Sequence, residues 1–166
     1  IRHLLPGDIV VCQGEEVGKA FHARYSAKEK TYCYKVVLTD VVNPCLRNYA
    51  WEIKGSLDYP EMNKAAECLL GNHDFSAFRN TGSEMTTPIR TLTKAQWEKQ
   101  GNALLFTITG NSFLYRMVRN IVGCLVKVGQ GKLTSVQFAG IMEAKERKAV
   151  GMAAPAQGLY LMHVQY

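Results

Sequence analysis

The segment Lys30–Thr39 (KTYCYKVVLT) is dense in aromatic and β-branched residues, which predicts a strand. Asn43-Pro44 breaks it, and Tyr49–Lys54 forms a second run able to pair back. Upstream, Asp8–Gln13 reads as a short β-like run after Pro6-Gly7, the expected end of a preceding unit, with Gly14–Lys19 as a connection. Asp58 is placed to cap a helix running to about Leu70. Its apolar positions Met62, Ala65, Ala66, Leu69 and Leu70 recur at helical spacing, and Gly71 stops it. Gly71–Pro88 shows no periodicity and is expected as one long loop, a length more often functional than idle.

Ile89–Glu98 and Asn102–Thr109 alternate as two strands around the turn signal Gln100-Gly101. Phe113–Val128 gives the clearest helical pattern, its stripe made of Leu114, Met117, Val118, Ile121, Leu125 and Val128. Thr134–Lys145 predicts another helix, and Gly158–Tyr166 a closing strand. Strand, helix, hairpin, helix, strand is the βαββαβ order of an α+β, ferredoxin-like domain. That is an antiparallel sheet with helices packed on one face and the other face open to a ligand or a second domain.

Composition narrows the class. At 166 residues, 47% hydrophobic and 20% charged, the chain has the make-up of one folded domain and not of a disordered one. No apolar run approaches the roughly 20 residues of a membrane span. Five scattered cysteines (Cys12, Cys33, Cys45, Cys68, Cys124) include no C-x-x-C pair, and the histidines show no H-x-x-x-H spacing. A disulfide scaffold or structural zinc site is therefore not expected, and a reducing cytoplasm fits better. No signal peptide is recognisable, and the chain begins at Ile1, as a piece of something longer would.

The net charge of +6 is unevenly spread. No acidic residue lies between Glu98 and Glu143, an interval that holds Lys99, Arg116, Arg119, Lys127 and Lys132. Arg24–Lys35 adds Arg24, Lys28, Lys30 and Lys35 against Glu29 alone. Two basic segments with tyrosines among them point to a polyanion, nucleic acid first, although a merely solvated basic surface gives the same count.

Residues with chemistry to offer are few. Of the four aspartates, Asp58 reads as a helix cap, Asp8 and Asp40 sit beside turn signals, and Asp74 in the Gly71–Pro88 segment orders a loop more readily than it reacts. No phosphate loop, glycine fingerprint or Ser/His/Asp grouping is present. Helical geometry puts Arg119 about 140° from the apolar stripe and Arg116 about 160° on the other side. Both are then either solvated or, with Asn120 and Gly123, part of a cleft wall. A mid-helix glycine lowers helix propensity, which favours the close approach of something at Gly123. Tyr32 and Tyr34 share one strand face, as a packing pair or with one ring free to stack on a base.

Taken in order, six segments resemble the C-terminal domain of the tRNA pseudouridine synthase A family. They are Phe21–Ala27 (FHARYSA), Lys30–Tyr34 (KTYCY), Leu70–Phe78 (LGNHDFSAF), Ile89–Thr91, Gly110–Gly123 (GNSFLYRMVRNIVG) and Ala153–Leu161 (AAPAQGLYL). The resemblance implies isomerisation of uridine to pseudouridine in the anticodon stem-loop of tRNA, with no metal and no organic cofactor. It assigns residues 1–20 to the end of an N-terminal domain and the connection from it, and 21–166 to the C-terminal domain. The two ferredoxin-like halves then share one long sheet, with the cleft between them, in a homodimer. Tyr32 matches the tyrosine that stacks on the target base, Arg119 the arginine that pairs with the nucleophilic aspartate, and Leu159 and Leu161 the apolar wall of the base pocket. Arg24, Arg79, Arg90 and Arg116 are expected to bind the substrate backbone.

One departure is decisive. The family's nucleophile stands in a Gly-Arg-Thr-Asp motif, and none of the four aspartates follows Gly-Arg-Thr. The motif is expected upstream of Ile1, which leaves this chain with half of an active site and no activity alone. The alternative is a non-catalytic RNA-binding or assembly domain of the same fold. The aromatic signature of RNA-recognition motifs, which would favour it, is absent from the predicted strands.

Overall fold

The computed structural model describes residues 4–80 and 87–166. One mixed sheet organises it around β1 (Glu29–Leu38). Alternation along β1 sends Tyr34 and Val36 fully into the core, with Tyr32 on the same face. The hairpin β4 (Ile89–Gln100) and β5 (Ala103–Gly110) turns at Gly101, whose φ of +62° suits glycine, and β5 lies antiparallel to β1. The register sets Tyr34 opposite Phe106 and Phe106 opposite Trp97, so three aromatic rings cross the sheet in one row. Trp97 and Phe106 stack at 4.9 Å between ring centroids.

The other edge of β1 is shared. β6 (Leu159–Gln165) runs antiparallel along its first half, and the short β2 (Trp51–Ile53) pairs parallel with its last three residues. The sheet therefore runs β6 and β2, then β1, β5, β4, and finally β3 (Gly71–Asp74).

Helices cover the aromatic face. α1 (Tyr59–Ala66) starts where Asp58 accepts the Glu61 N–H at 3.0 Å, and a 3-10 turn continues it to Leu69. α2 (Met117–Gly129) lies at the centre: of its residues only Arg119 and Lys127 are not buried. α3 (Ser135–Ala144) carries a full capping box between Thr134 and Gln137 and packs on α1 and α2. α4 (Arg147–Val150) is a single turn against α2.

Four expectations from the pattern need correction. The sheet is not antiparallel throughout: Trp51–Ile53 does not pair back but runs parallel to Val36–Leu38, because the long connection after β1 returns the chain to the start of that edge. Asp8–Gln13 forms no strand and lies exposed, because a short β-like run gains little without a partner ladder. Gly71–Pro88 is not one loop. Gly71–Asp74 is the edge strand β3, in register with Ile89–Leu92, and Phe75, Ala77 and Phe78 are fully buried in a turn after it. Residues 81–86 of that expected loop lie outside the described residues. The long helix begins at Met117 and not at Phe113, since Arg116 takes the left-handed conformation (φ +59°). The Met117 N–H closes a turn on the Leu114 carbonyl, which sinks Leu114 into the core and lays Phe113 edge-on against Tyr32 at 5.1 Å.

No helix among the described residues is long and apolar enough to cross a membrane.

Candidate active site

Arg119 lies in the first turn of α2, half-buried. Its Nε donates to the Ala154 carbonyl at 2.6 Å, and the Ala154 N–H returns a bond to the Arg119 carbonyl at 2.9 Å. The peptide at Ala154 is thus bracketed by the side chain and main chain of one arginine. The two terminal nitrogens of the guanidinium find no partner among the described residues, and no carboxylate of those residues pairs with Arg119. A guanidinium fixed at Nε and open at its fork is shaped to receive a bidentate oxyanion.

One helical turn further on, Gly123 explains the close approach expected there. A Cβ at this position would stand 2.5 Å from the Met152 carbonyl oxygen and 3.1 Å from the Ala154 nitrogen. What approaches is the chain's own segment Gly151–Pro155. That segment is tied at several points: Lys127 Nζ donates to the Val150 carbonyl at 2.9 Å, Arg147 to the Gly151 carbonyl at 2.8 Å, and the Tyr34 hydroxyl to the Pro155 carbonyl at 2.7 Å. Of the two readings open for this face of α2, solvated or approached closely, the strap supports the second at Asn120 and Gly123. The polar side of α2 is covered by this strap, and Arg116 precedes the helix.

Asn120 is wholly buried and saturated. Its amide nitrogen donates to the Phe78 carbonyl at 2.7 Å and to Asn80 Oδ1 at 2.9 Å, and its oxygen accepts from Arg147 at 3.1 Å. This network draws the Ser76–Asn80 turn and α4 onto the start of α2.

Tyr32 stands half-buried on the helix-side face. Burial pushes its hydroxyl above the ordinary tyrosine value, which keeps it neutral. Antiparallel pairing puts Leu161 opposite Tyr32 and Leu159 opposite Tyr34, all on one face. Leu159 packs on the core, whereas Leu161 is 54% exposed beside Tyr32. Arg119, Tyr32 and Leu161 are therefore held by α2, β1 and β6.

The remaining expected arginines are dispersed. Arg24 is exposed over the Tyr25 ring, in a turn whose amides at Arg24 and Tyr25 donate to His22 Nδ1. Arg116 is exposed over Tyr115. Arg79 follows the buried turn and lies close enough for its charge to act on Arg90. Arg90 is only 2% exposed: it bonds the Thr87 and Ile89 carbonyls, while Nε and Nη2 have no partner among the described residues. A phosphate contact at Arg90 requires its covering to open. Nor do the five cations of the acid-free interval form one patch. Lys127 and the Nε of Arg119 are engaged by the strap, and Arg116 and Lys127 are about 16 Å apart by helical rise.

None of the described aspartates pairs with Arg119. Asp58 caps α1, and Asp8 and Asp40 are exposed in irregular segments. Asp74 accepts the Ser76 hydroxyl at 2.6 Å and the Ser76 N–H at 2.9 Å, and pairs with Lys145 at 3.2 Å. Burial pulls this carboxyl upward, yet Ser76 and Lys145 together hold it below the usual aspartate value. Its lone pairs are committed to ordering the turn. Among the described residues no three His, Cys, Asp or Glu side chains come together as a metal site.

Sequence reasoning missed Tyr34, Arg147 and Ala154 as parts of this arrangement. The Ala153–Leu161 motif and the mid-helix Gly123 were the signals that a backbone segment mattered here.

A family profile described as tRNA pseudouridine synthase matches residues 65–166. The chain is 43% identical, over its full length, to tRNA pseudouridine synthase A of Acetivibrio thermocellus and spans 68% of that protein. It is 45% identical to tRNA pseudouridine synthase A of Thermoanaerobacter pseudethanolicus, again over its full length and 68% of that protein. For tRNA pseudouridine synthase A of Anoxybacillus flavithermus the identity is 40% over 98% of the chain and 66% of that protein. The chain belongs to the tRNA pseudouridine synthase family and corresponds to the C-terminal part of these relatives.

Proposed function

We propose that this chain supplies the C-terminal wall of the catalytic cleft in an enzyme that isomerises uridine to pseudouridine in the anticodon stem-loop of tRNA. The observation that carries the reading is the guanidinium of Arg119, anchored at Nε on Ala154 and open at its fork, with no carboxylate among the described residues to fill it. A nucleophilic aspartate from an N-terminal domain fits that fork. The cation keeps the aspartate ionised and the planar fork orients it.

The second wall is apolar. Tyr32 offers a ring to the flipped uracil and Leu161 a side chain beside it, while Leu159 backs them from the core. Unstacking a base costs a few kcal/mol, which contact with Tyr32 offsets in part. In the isomerisation the bond from C1′ to N1 breaks, the uracil turns while held, and a bond from C1′ to C5 replaces it. The C5 proton then leaves, and N1 regains a proton. Arg24 and Arg116, both exposed, meet the tRNA phosphates, and the buried Arg90, with Arg79 close by, joins them when its covering opens.

The order β6–β1–β5–β4, with α1 and α2 in the two crossovers, supports a ferredoxin-like core to which β2 and β3 are added. Beyond β1, β6 has no pairing partner among the described residues and exposes Leu161 and Met162. An open edge of this kind is what a sheet shared with the N-terminal domain would cover. The five free thiols suit a reducing cytoplasm, where the enzyme acts as a homodimer.

Tritium release from tRNA carrying 5-tritiated uridine tests the reading. The chain joined to a domain bearing Gly-Arg-Thr-Asp is expected to release tritium and the chain alone to release none. No release by the joined protein, or turnover by the chain alone, overturns it.

A further inference from the structure

We propose that Tyr34 is a positioning residue for Arg119, acting through the carbonyl of Pro155. The inference rests on the reading of Arg119 given above and names what holds that arginine in place.

Tyr34 is fully buried, and among the described residues its hydroxyl makes a single bond, to the Pro155 carbonyl at 2.7 Å. The next residue back, Ala154, takes the Nε–H of Arg119 and returns its own N–H. One peptide therefore separates the tyrosine's anchor from the arginine's. The Tyr34 ring is seated without play: a Cβ at Gly158 would stand 2.6 Å from its Cζ, and Trp51 meets it edge-on at 6.4 Å. The far end of the strap is tied by Lys127 on Val150 and by Arg147 on Gly151. Its middle lies on the bare face of Gly123.

The strap is thus fixed at both ends, and the Arg119 side chain hangs from a carbonyl between them. Arg119 in turn acts on Tyr34, its charge partly opposing the upward pull of burial on the hydroxyl. A neutral phenol that donates to a carbonyl is the state this arrangement needs. Removal of the hydroxyl frees the Pro155 carbonyl, lets the Ala154 peptide rotate, and leaves the guanidinium fork less aligned with its carboxylate. Small displacements at a positioning contact are costly in rate: about 1 Å can cost on the order of a hundredfold.

The test uses the complete synthase, with this chain joined to the nucleophile-bearing domain. Tyr34→Phe is expected to lower the single-turnover rate constant about tenfold, with tRNA affinity within twofold of wild type. Added to Arg119→Lys, which has no Nε–H for Ala154 to hold, the same substitution should change the rate less than twofold. Lys127→Met, which frees the other end of the strap, should reproduce the loss and serves in place of Tyr34→Phe if that variant fails to fold. A wild-type rate in the folded Tyr34→Phe protein, or a loss that persists undiminished on Arg119→Lys, overturns the proposal. A wild-type rate for Arg119→Lys alone overturns instead the reading of Arg119 on which it rests.

Discussion

Replacing Gly123 by alanine sets two effects of known size against each other. Alanine raises helix propensity by about 1 kcal/mol over glycine, so α2 alone would gain stability. Against that, the new Cβ would stand 2.5 Å from the Met152 carbonyl oxygen and 3.1 Å from the Ala154 nitrogen. Ordinary contact begins near 3.4 Å, so the strap must retreat by about 0.9 Å. Both neighbours are backbone, and the strap is pinned by Tyr34, Lys127 and Arg147, so it cannot swing aside as a long side chain would. Overpacking of this kind costs roughly 1–3 kcal/mol, which outweighs the propensity gain. Because both neighbours are pinned backbone, the cost falls in the upper half of that range, and a net loss of about 1–2 kcal/mol lowers Tm by roughly 2–8 °C for a chain of this size. Gly140 in α3 is the control: nothing lies within 4 Å of its Cβ, and alanine there should raise Tm. Calorimetry on the two variants reads the signs. A higher Tm for both would refute the close approach at Gly123.

Three further outcomes follow from the site. Arg119→Lys keeps the charge but loses the fork and the 2.6 Å bond to Ala154; at about 1.5–3 kcal/mol for a charged hydrogen bond, the single-turnover rate constant should fall roughly 10- to 150-fold while tRNA affinity holds within a few-fold, and a loss confined to affinity would make Arg119 a phosphate contact. Tyr32→Phe keeps the ring and should retain most of the rate, whereas Tyr32→Ala should impair capture of the flipped base; if Phe fails in the chemical step by about 10²–10⁴, the hydroxyl acts in proton transfer instead. Asp74→Asn should cost about 1 kcal/mol at pH 7, measured by urea unfolding. Because the folded carboxyl is held below its ordinary value, the native state resists the proton that the unfolded chain accepts. Wild-type stability therefore declines as pH falls through the acid range, and the gap to the variant should close there; a gap independent of pH would refute the pairing.

The elements with strong periodicity were legible in the sequence. KTYCYKVVLT, the β4–β5 hairpin at Gly101, the Asp58 cap and the Thr134–Lys145 helix depend on local pattern and capping chemistry, and all are present. β3 was not legible, because Gly71–Asp74 offers no alternation and becomes a strand only where β4 presents an edge. The start of α2 was misplaced because Leu114 fits the apolar stripe by spacing, although Arg116 breaks the helix between them. At the site, Arg119 and Tyr32 came from motif resemblance. Their supports did not, since Ala154 and Pro155 act through backbone carbonyls that no side-chain pattern records. The basic interval shows the same limit: one acid-free stretch of sequence holds both Lys127, bonded to the strap, and Arg116, exposed on the surface.

The central claim is that the open fork of Arg119 receives a carboxylate from outside this chain. Nitrogen-15 NMR of the arginine side chains in the joined protein tests it most directly. The account predicts resolved, slowly exchanging Nη protons for Arg119 when the Gly-Arg-Thr-Asp aspartate is present. It predicts their collapse when that aspartate is replaced by alanine, with the Nε–H held by Ala154 persisting in both. Arg119 signals unchanged by that replacement would contradict it.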